Sequence, residues 1–219
     1  MAYCVSEAKQ QLYKERQEMI DKNAFPDDLT IISNTCLGGR LYHDYGKKFL
    51  SPTIDFYMDP DSFVKFCSNL KYYMSCEIKP LYDFKIYYFS DFCYCDIGGL
   101  LAVFGHSNDS YEKTIAKWNE RKQRINYDNI VVICTDRNVL AKPFTRCKAE
   151  TVKEFGNIPY KKVFFSTVDY PYDYVAYLHS FKDEDGCPEA TRPSLTKKGK
   201  YIAEEDGFDL DKFICSKGE

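Results

Sequence analysis

The sequence predicts an α/β protein, a three-layer αβα sandwich built on a mostly parallel or mixed sheet. Three observations point there. Short apolar, β-branched runs alternate along the chain with stretches of helical periodicity. One run, Ile130-Val131-Val132-Ile133-Cys134, is continuously apolar, the pattern of a strand covered on both faces. Several runs also end abruptly in small or polar residues just before a helix start, the kind of turn at which α/β proteins gather ligands.

Taken in order, residues 6–22 are charged with Ala8, Leu12, Met19 and Ile20 on one rough face, which predicts a helix. With the Pro26 turn it makes residues 1–27 an N-terminal helical appendage; 28–219 is expected to be a single α/β domain. Leu29 to Ile32 reads as a buried strand, followed by the glycine turn Ser33-Asn34-Thr35-Cys36-Leu37-Gly38-Gly39 and a weak helix. Ser51-Pro52-Thr53 is a second polar turn, then Ile54 to Met58 is a short strand. Asp59-Pro60 opens the clearest helix, with Asp at the cap and Pro at the first helical position; Phe63, Phe66, Cys67, Leu70 and Met74 follow at helical spacing. Tyr82 to Phe89 and Gly99 to Phe104 read as strands, with Phe92-Cys93-Tyr94-Cys95 between them. Asp109 and Glu112 resemble a capping box for a helix running to about Ile125, with Ile115, Trp118 and Ile125 on its apolar side. Asn129 to Thr135 is the clearest strand, a helix near 146–156 ends at Gly156, and Val163 to Thr167 and Val175 to His179 are strands. The charged stretch 182–200, with Gly186, Pro188, Pro193 and Gly199, is expected to be a surface loop, and Lys200 to Ile214 a final short helical element.

Composition narrows the function classes. A net charge of −3 removes the electrostatic case for nucleic-acid binding. The start has no apolar signal-peptide core, and no run approaches the roughly 18 apolar residues of a membrane span. A cytoplasmic location is therefore expected, where thiols stay reduced, and the irregular spacing of ten cysteines agrees with thiols rather than a disulfide framework. The Cys93/Cys95 pair lacks a second pair at ligand spacing, so no metal site is expected. Aromatic content of 16% suits a filled core better than a sugar-facing surface.

Three polar groups fall where strands end: Cys36, His106 and Asp136. If those strands are neighbours with their carboxyl ends together, the three can meet as nucleophile, base and orienting group. A thiol at the start of a helix feels the positive end of its dipole, which favours the thiolate. The competing reading is packing, since cysteine is among the most buried residue types; for His106 it is a helix-capping loop histidine, and for Asp136 an ordinary turn residue. Asn34, Gly38, Gly39 and Tyr42 are the candidate substrate contacts of the glycine turn, with an Asx turn as the plainer role for Asn34. Arg121 and Arg124, three apart on one helix, suit a phosphate or carboxylate, or else form part of a solvated face with Glu120 and Lys122. The Walker loop, G-x-G-x-x-G, G-x-S-x-G and H-E-x-x-H are all missing from the sequence, and the D-x-D patterns at 59–61 and 209–211 fit a helix start and the tail instead of a convincing strand end.

Ile32-Ser33-Asn34-Thr35-Cys36-Leu37-Gly38-Gly39, Tyr42, Ser51-Pro52-Thr53, the 69–73 run Asn-Leu-Lys-Tyr-Tyr, His106, and Trp118, Arg121, Arg124, Ile125, Asn126 and Asn129 together resemble a bacterial domain family of unknown function. That family is often labelled "exopolysaccharide biosynthesis protein", and the resemblance spans roughly residues 28–214. Leu37 stands where the family pattern has Trp and Ser107 where it has Tyr, which bears on ligand preference. The resemblance implies a role in making surface polysaccharide. The leading expectation is an enzyme that acts on a sugar or activated sugar, by group transfer or hydrolysis through Cys36. A glycosyltransferase-like enzyme without cysteine chemistry and a non-catalytic saccharide-binding or assembly protein stay open beside it. The expected partner is a sugar or sugar phosphate; the sequence names no cofactor and no oligomeric state.

Overall fold

The computed structural model describes residues 25–84, 92–105, 110–138, 140, 145–179 and 206–216, with four further positions, Gln10, Gln11, Lys14 and Glu18, that are helical and exposed. The rest of the expected N-terminal helix and the 182–200 loop lie outside the described residues.

The chain begins with β1 (Thr30–Ser33) and α1 (Leu37–Asp44). Next come β2 (Phe56–Tyr57), α2 (Pro60–Ser68), α3 (Leu70–Ser75), β3 (Ile78–Pro80) and a hairpin of β4 (Cys93–Ile97) with β5 (Leu100–Phe104). Beyond it lie α4 (Tyr111–Lys122), β6 (Ile130–Thr135), a ribbon of β7 (Arg137–Asn138) with β8 (Thr145–Arg146), and α5 (Ala149–Phe155). The last described elements are β9 (Lys161–Ser166), β10 (Val175–Tyr177) and α6 (Leu210–Cys215).

Four strands form a parallel sheet in the order β1-β6-β9-β10. Ser33 pairs with Ile133 and Thr135 with Phe165, so the carboxyl ends of β1, β6 and β9 share one edge. Side chains alternate across the sheet. Ile31, Val131, Ile133, Val163 and Phe165 pack with Leu37 and Leu41 of α1 and Leu210 and Ile214 of α6. Ile32, Val132, Cys134 and Phe164 face the other way, onto α2, α5 and Trp118 of α4. Both faces are covered, which gives the three layers and explains why all six residues of β6 are buried.

The structure departs from the sequence reading in four places. Gly99 to Phe104 does not join the parallel sheet. Gly98 and Gly99, at φ +60° and +89°, make a two-residue turn that folds β5 back on β4. So tight a connection permits only antiparallel pairing, and the result is a second sheet in the order β2-β5-β4-β3. The Cys93–Cys95 stretch is therefore strand, and the two thiols, both buried, point to one face of it. The helix opened by Asp59, whose carboxylate accepts from Ser62 N at 3.0 Å, breaks at Asn69 (φ −136°, ψ 49°) into α2 and α3. The cap of α4 is Ser110, which accepts from Lys113 N at 3.4 Å, one residue after the expected Asp109. Tyr82 to Phe84, expected to open a strand, form a turn, and 85–91 lie outside the described residues.

Candidate functional site: the carboxyl edge of the parallel sheet

β1 is the outer strand of its sheet, so every second backbone group faces away from β6. Two side chains satisfy that open edge. The Tyr42 hydroxyl donates to Leu29 O at 2.7 Å and accepts from Ile31 N at 2.8 Å. Thr53 Oγ1 accepts from Ser33 N at 3.1 Å and is itself bonded to Ser51 Oγ at 2.9 Å. Tyr42 is fully buried, and desolvation pushes its phenol well above the ordinary value. Its place is thus under the turn as a plug for an exposed strand edge, not in contact with solvent.

The glycines serve the same packing. A Cβ on Gly38 would lie 3.3 Å from Ile31 Cγ2 and from Ser33 Cβ, and one on Gly39 would lie 3.1 Å from Ile54 Cγ2. Their bare backbones let the start of α1 settle on β1 and on the loop before β2. Asn34 is likewise fully buried. Its Oδ1 accepts from Thr135 N at 3.0 Å, its Nδ2 donates to Thr135 O at 3.4 Å, and its carbonyl accepts from Met58 N at 3.1 Å. It staples the ends of β1 and β6 to the start of α2, a longer-range role than an Asx turn. What this leaves at the surface is Cys36. It is the cap residue of α1, partly exposed, with its carbonyl taking the first helical bond from Arg40 N at 3.1 Å.

Asp136 stands one strand over, at the end of β6, and turns toward β9. Its Oδ2 accepts from Thr167 N at 2.9 Å and from the Ser166 and Thr167 hydroxyls, each at 3.1 Å. Arg137 Nε and Arg146 Nε flank the carboxylate, each at 3.9 Å, and Arg146 also donates to Thr167 Oγ1 at 2.8 Å. Arg137 is buried, and its carbonyl accepts from the Tyr57 hydroxyl at 2.9 Å. Cys147 follows β8 and sits close enough to Asp136 and Asp61 that their charge adds to burial in pushing its thiol up to about 12.

His106 lies outside the described residues. The strand before it, β5, belongs to the antiparallel sheet and is not a neighbour of β1 or β6, so only the Cys36 and Asp136 turns share the parallel edge. The residue before it is fixed: Gly105 N donates to Asp55 O at 2.9 Å. Arg121, in the last turn of α4, and Arg124, just past its end, do different jobs. Arg124 bonds the Glu120 carboxylate one turn back and donates to Phe49 O at 3.2 Å, tying α4 to the loop after α1. Arg121 lies over the Phe49 ring at 5.2 Å and faces a recess with Lys117 and Asp55.

Sequence reasoning missed Arg137, Arg146, Thr167 and Lys117. Lys117 was findable, one turn before Arg121 on the same helix face. The Asp136–Arg146 contact depends on the β7–β8 pairing, in which Arg137 stands opposite Arg146, and local sequence does not encode it. Among the described residues the eight cysteines are all thiols, with no disulfide, and no cluster of three or more His, Cys, Asp or Glu has metal-ligand geometry. No described helix is long and apolar enough to cross a membrane.

Fold and edge together define an α/β protein with a thiol, an acid and two arginines along the carboxyl ends of a parallel sheet. Residues 6–214 match the family described as "Domain of unknown function (DUF1919)", and the chain belongs to that family. A protein of Haemophilus influenzae described as "Uncharacterized protein" is 25% identical over 191 residues, covering 85% of this chain and 84% of the relative.

Proposed function

We propose that the protein is an enzyme of surface-polysaccharide assembly that acts on a sugar or activated sugar at the carboxyl edge of its parallel sheet. The observation that carries this reading is the partly exposed Cys36 at the cap of α1, on a turn whose other polar groups are all committed to holding it. A thiol so fixed is oriented before a ligand arrives, which is what a nucleophile needs. In this reading the Cys36 thiolate attacks the electrophilic carbon of the bound group, and the leaving group departs with its electron pair. Water or an acceptor hydroxyl then releases the product from sulfur. No described group at this edge is placed as the base for the thiol proton; His106, which follows β5 of the other sheet, is the candidate that the sequence offers. Asp136, with one oxygen accepting three bonds from the end of β9, is a positioning residue of the edge instead of the partner of His106.

The test is a screen of the full chain against nucleotide sugars, sugar phosphates and acyl donors, read by mass spectrometry. Turnover of a donor is expected, lost in Cys36→Ser with the melting temperature unchanged. A second reading rests on the carboxylate and two arginines at Asp136, Arg137 and Arg146, where open α/β sheets bind nucleotides. It is a glycosyltransferase-like reaction without covalent catalysis, and it predicts full turnover in Cys36→Ser with a raised KM in Arg146→Gln.

A further inference from the structure

The two oxygens of Asp136 are placed differently. Oδ2 takes all three hydrogen bonds from the end of β9. Oδ1 takes none: its one polar contact is Arg137 Nε at 3.9 Å, beyond hydrogen-bond length. The side chain is 4% exposed, and Oδ1, unlike Arg137 Nε beside it, is not shut off from solvent. A deeply buried, firmly held carboxylate thus keeps one acceptor open at the carboxyl edge, and such a group calls for a partner.

The segment after Thr167 adds a second polar group. Tyr170, Tyr172 and Tyr174 fall at every second position, while Asp169, Pro171 and Asp173 between them are exposed, the alternation of an extended chain. The three rings stack in a row, with centroids 6.4 and 5.2 Å apart and planes within 11° and 7° of parallel. The far end is anchored on α5: the Tyr174 hydroxyl donates to Val152 O at 3.1 Å and lies against Gly156. The near end is Tyr170, half-buried, whose hydroxyl has no hydrogen bond to a described residue. Burial raises its phenol, Cys147 and Asp136 push the same way and Arg146 opposes them, so the hydroxyl lies within range of the Asp136 charge.

We propose that Asp136 Oδ1 and the Tyr170 hydroxyl form a subsite that holds a sugar by its hydroxyl groups. A carboxylate oxygen only accepts, whereas a phenol both donates and accepts. A hydroxyl, or two on neighbouring carbons, answers both at once. An anion would meet the carboxylate as a like charge, and a cation would sit beside the guanidinium groups of Arg137 and Arg146. The stacked row holds Tyr170 in place before a ligand arrives, which lowers the cost of binding. The two oxygens of Asp136 then divide the work: Oδ2 holds the end of β9, and Oδ1 holds the ligand. The inference rests on the reading of the ligand as a sugar or activated sugar and does not depend on the chemistry of Cys36.

The full-length protein is titrated with UDP-glucose, UDP-N-acetylglucosamine and GDP-mannose, and with the matching free sugars, followed by calorimetry and saturation-transfer NMR. Saturable binding of at least one is expected, with transfer strongest at the protons of the sugar ring. Tyr170→Phe keeps the ring in its row and removes only the hydroxyl, so it should weaken binding about fivefold, the loss of one neutral hydrogen bond. Asp136→Asn should weaken it about tenfold or more, the loss of a charge-assisted bond, while Tyr72→Phe, at an exposed tyrosine of α3, leaves it unchanged. For one deoxy analogue of the bound sugar, wild type and Tyr170→Phe should bind alike, because the hydroxyl that Tyr170 holds is already gone; a merely structural tyrosine gives no such analogue. Thermal melts monitor folding, and Tyr170→Phe carries the test if Asp136→Asn fails to fold. Unchanged affinity in Tyr170→Phe, or transfer confined to the nucleotide, overturns the subsite and leaves the sugar reading standing. Absence of saturable binding by all of these compounds overturns both.

Discussion

Tyr42 shows at the scale of one residue how a candidate contact becomes a strut. Its hydroxyl both donates to and accepts from the outward backbone of β1. Tyr42→Phe leaves Leu29 O and Ile31 N buried without partners, so it should destabilise the fold by about 1–3 kcal/mol. Denaturant unfolding measures this as a lower midpoint at unchanged slope; a midpoint equal to wild type would mean that water already reaches the strand edge. Sequence placed Tyr42 near the turn correctly and could not give its role, because its partners lie 13 and 11 residues back on a strand whose edge position is a property of the whole sheet. Asn34 was obscured in the same way, since its partner Thr135 is 101 residues away. Cys36 was legible, because a strand end followed by glycines and a helix is a local pattern.

At the scale of elements, the pairing of α1 with β1 depends on how closely two backbones approach. In a helix, replacing Gly by Ala gains about 1 kcal/mol of propensity, and a methyl 3.1 Å from Ile54 Cγ2 needs a shift of only a few tenths of an ångström. Gly39→Ala should therefore be close to neutral. Gly39→Val adds two further carbons to the same contact and should cost about 1–3 kcal/mol through overpacking, again read by denaturant unfolding. A Val variant as stable as wild type would contradict the close seat of the helix. Elements with local signals were read well: the Asp59 cap, the first turn of α2, and β6 with its unbroken apolar run. Those set by pairing were not. The β4–β5 hairpin was hidden because Gly98-Gly99 reads equally as a loop, and the break at Asn69 because the apolar spacing continues across it.

At the scale of the whole molecule, the α/β class followed from alternation, and the split into a parallel and an antiparallel sheet did not. That split decides which strand ends meet. It keeps the end of β1 beside that of β6 and puts β5 in a different sheet, linked through the loop and strand at 51–57. The same segment seals the edge of β1, lies against α1 through Ile54, and forms one wall of the recess. The turn that carries Cys36 and the recess lined by Lys117 and Arg121 are thus built on one scaffold.

The most direct test of that account is to rank the cysteines of the folded protein by reactivity. Limiting iodoacetamide is applied below and above an ordinary thiol's pKa of about 8.5, and labelling is mapped by digestion and mass spectrometry. Burial pushes the Cys67 and Cys134 thiols far up, and those of Cys95 and Cys147 up to about 12, so these four are internal standards of inert thiols. Cys36 labels first, and already at the lower pH, if it is a reacting thiol at the start of α1. If Cys36 labels no faster than Cys147, or only once the protein is unfolded, covalent chemistry at the carboxyl edge is contradicted.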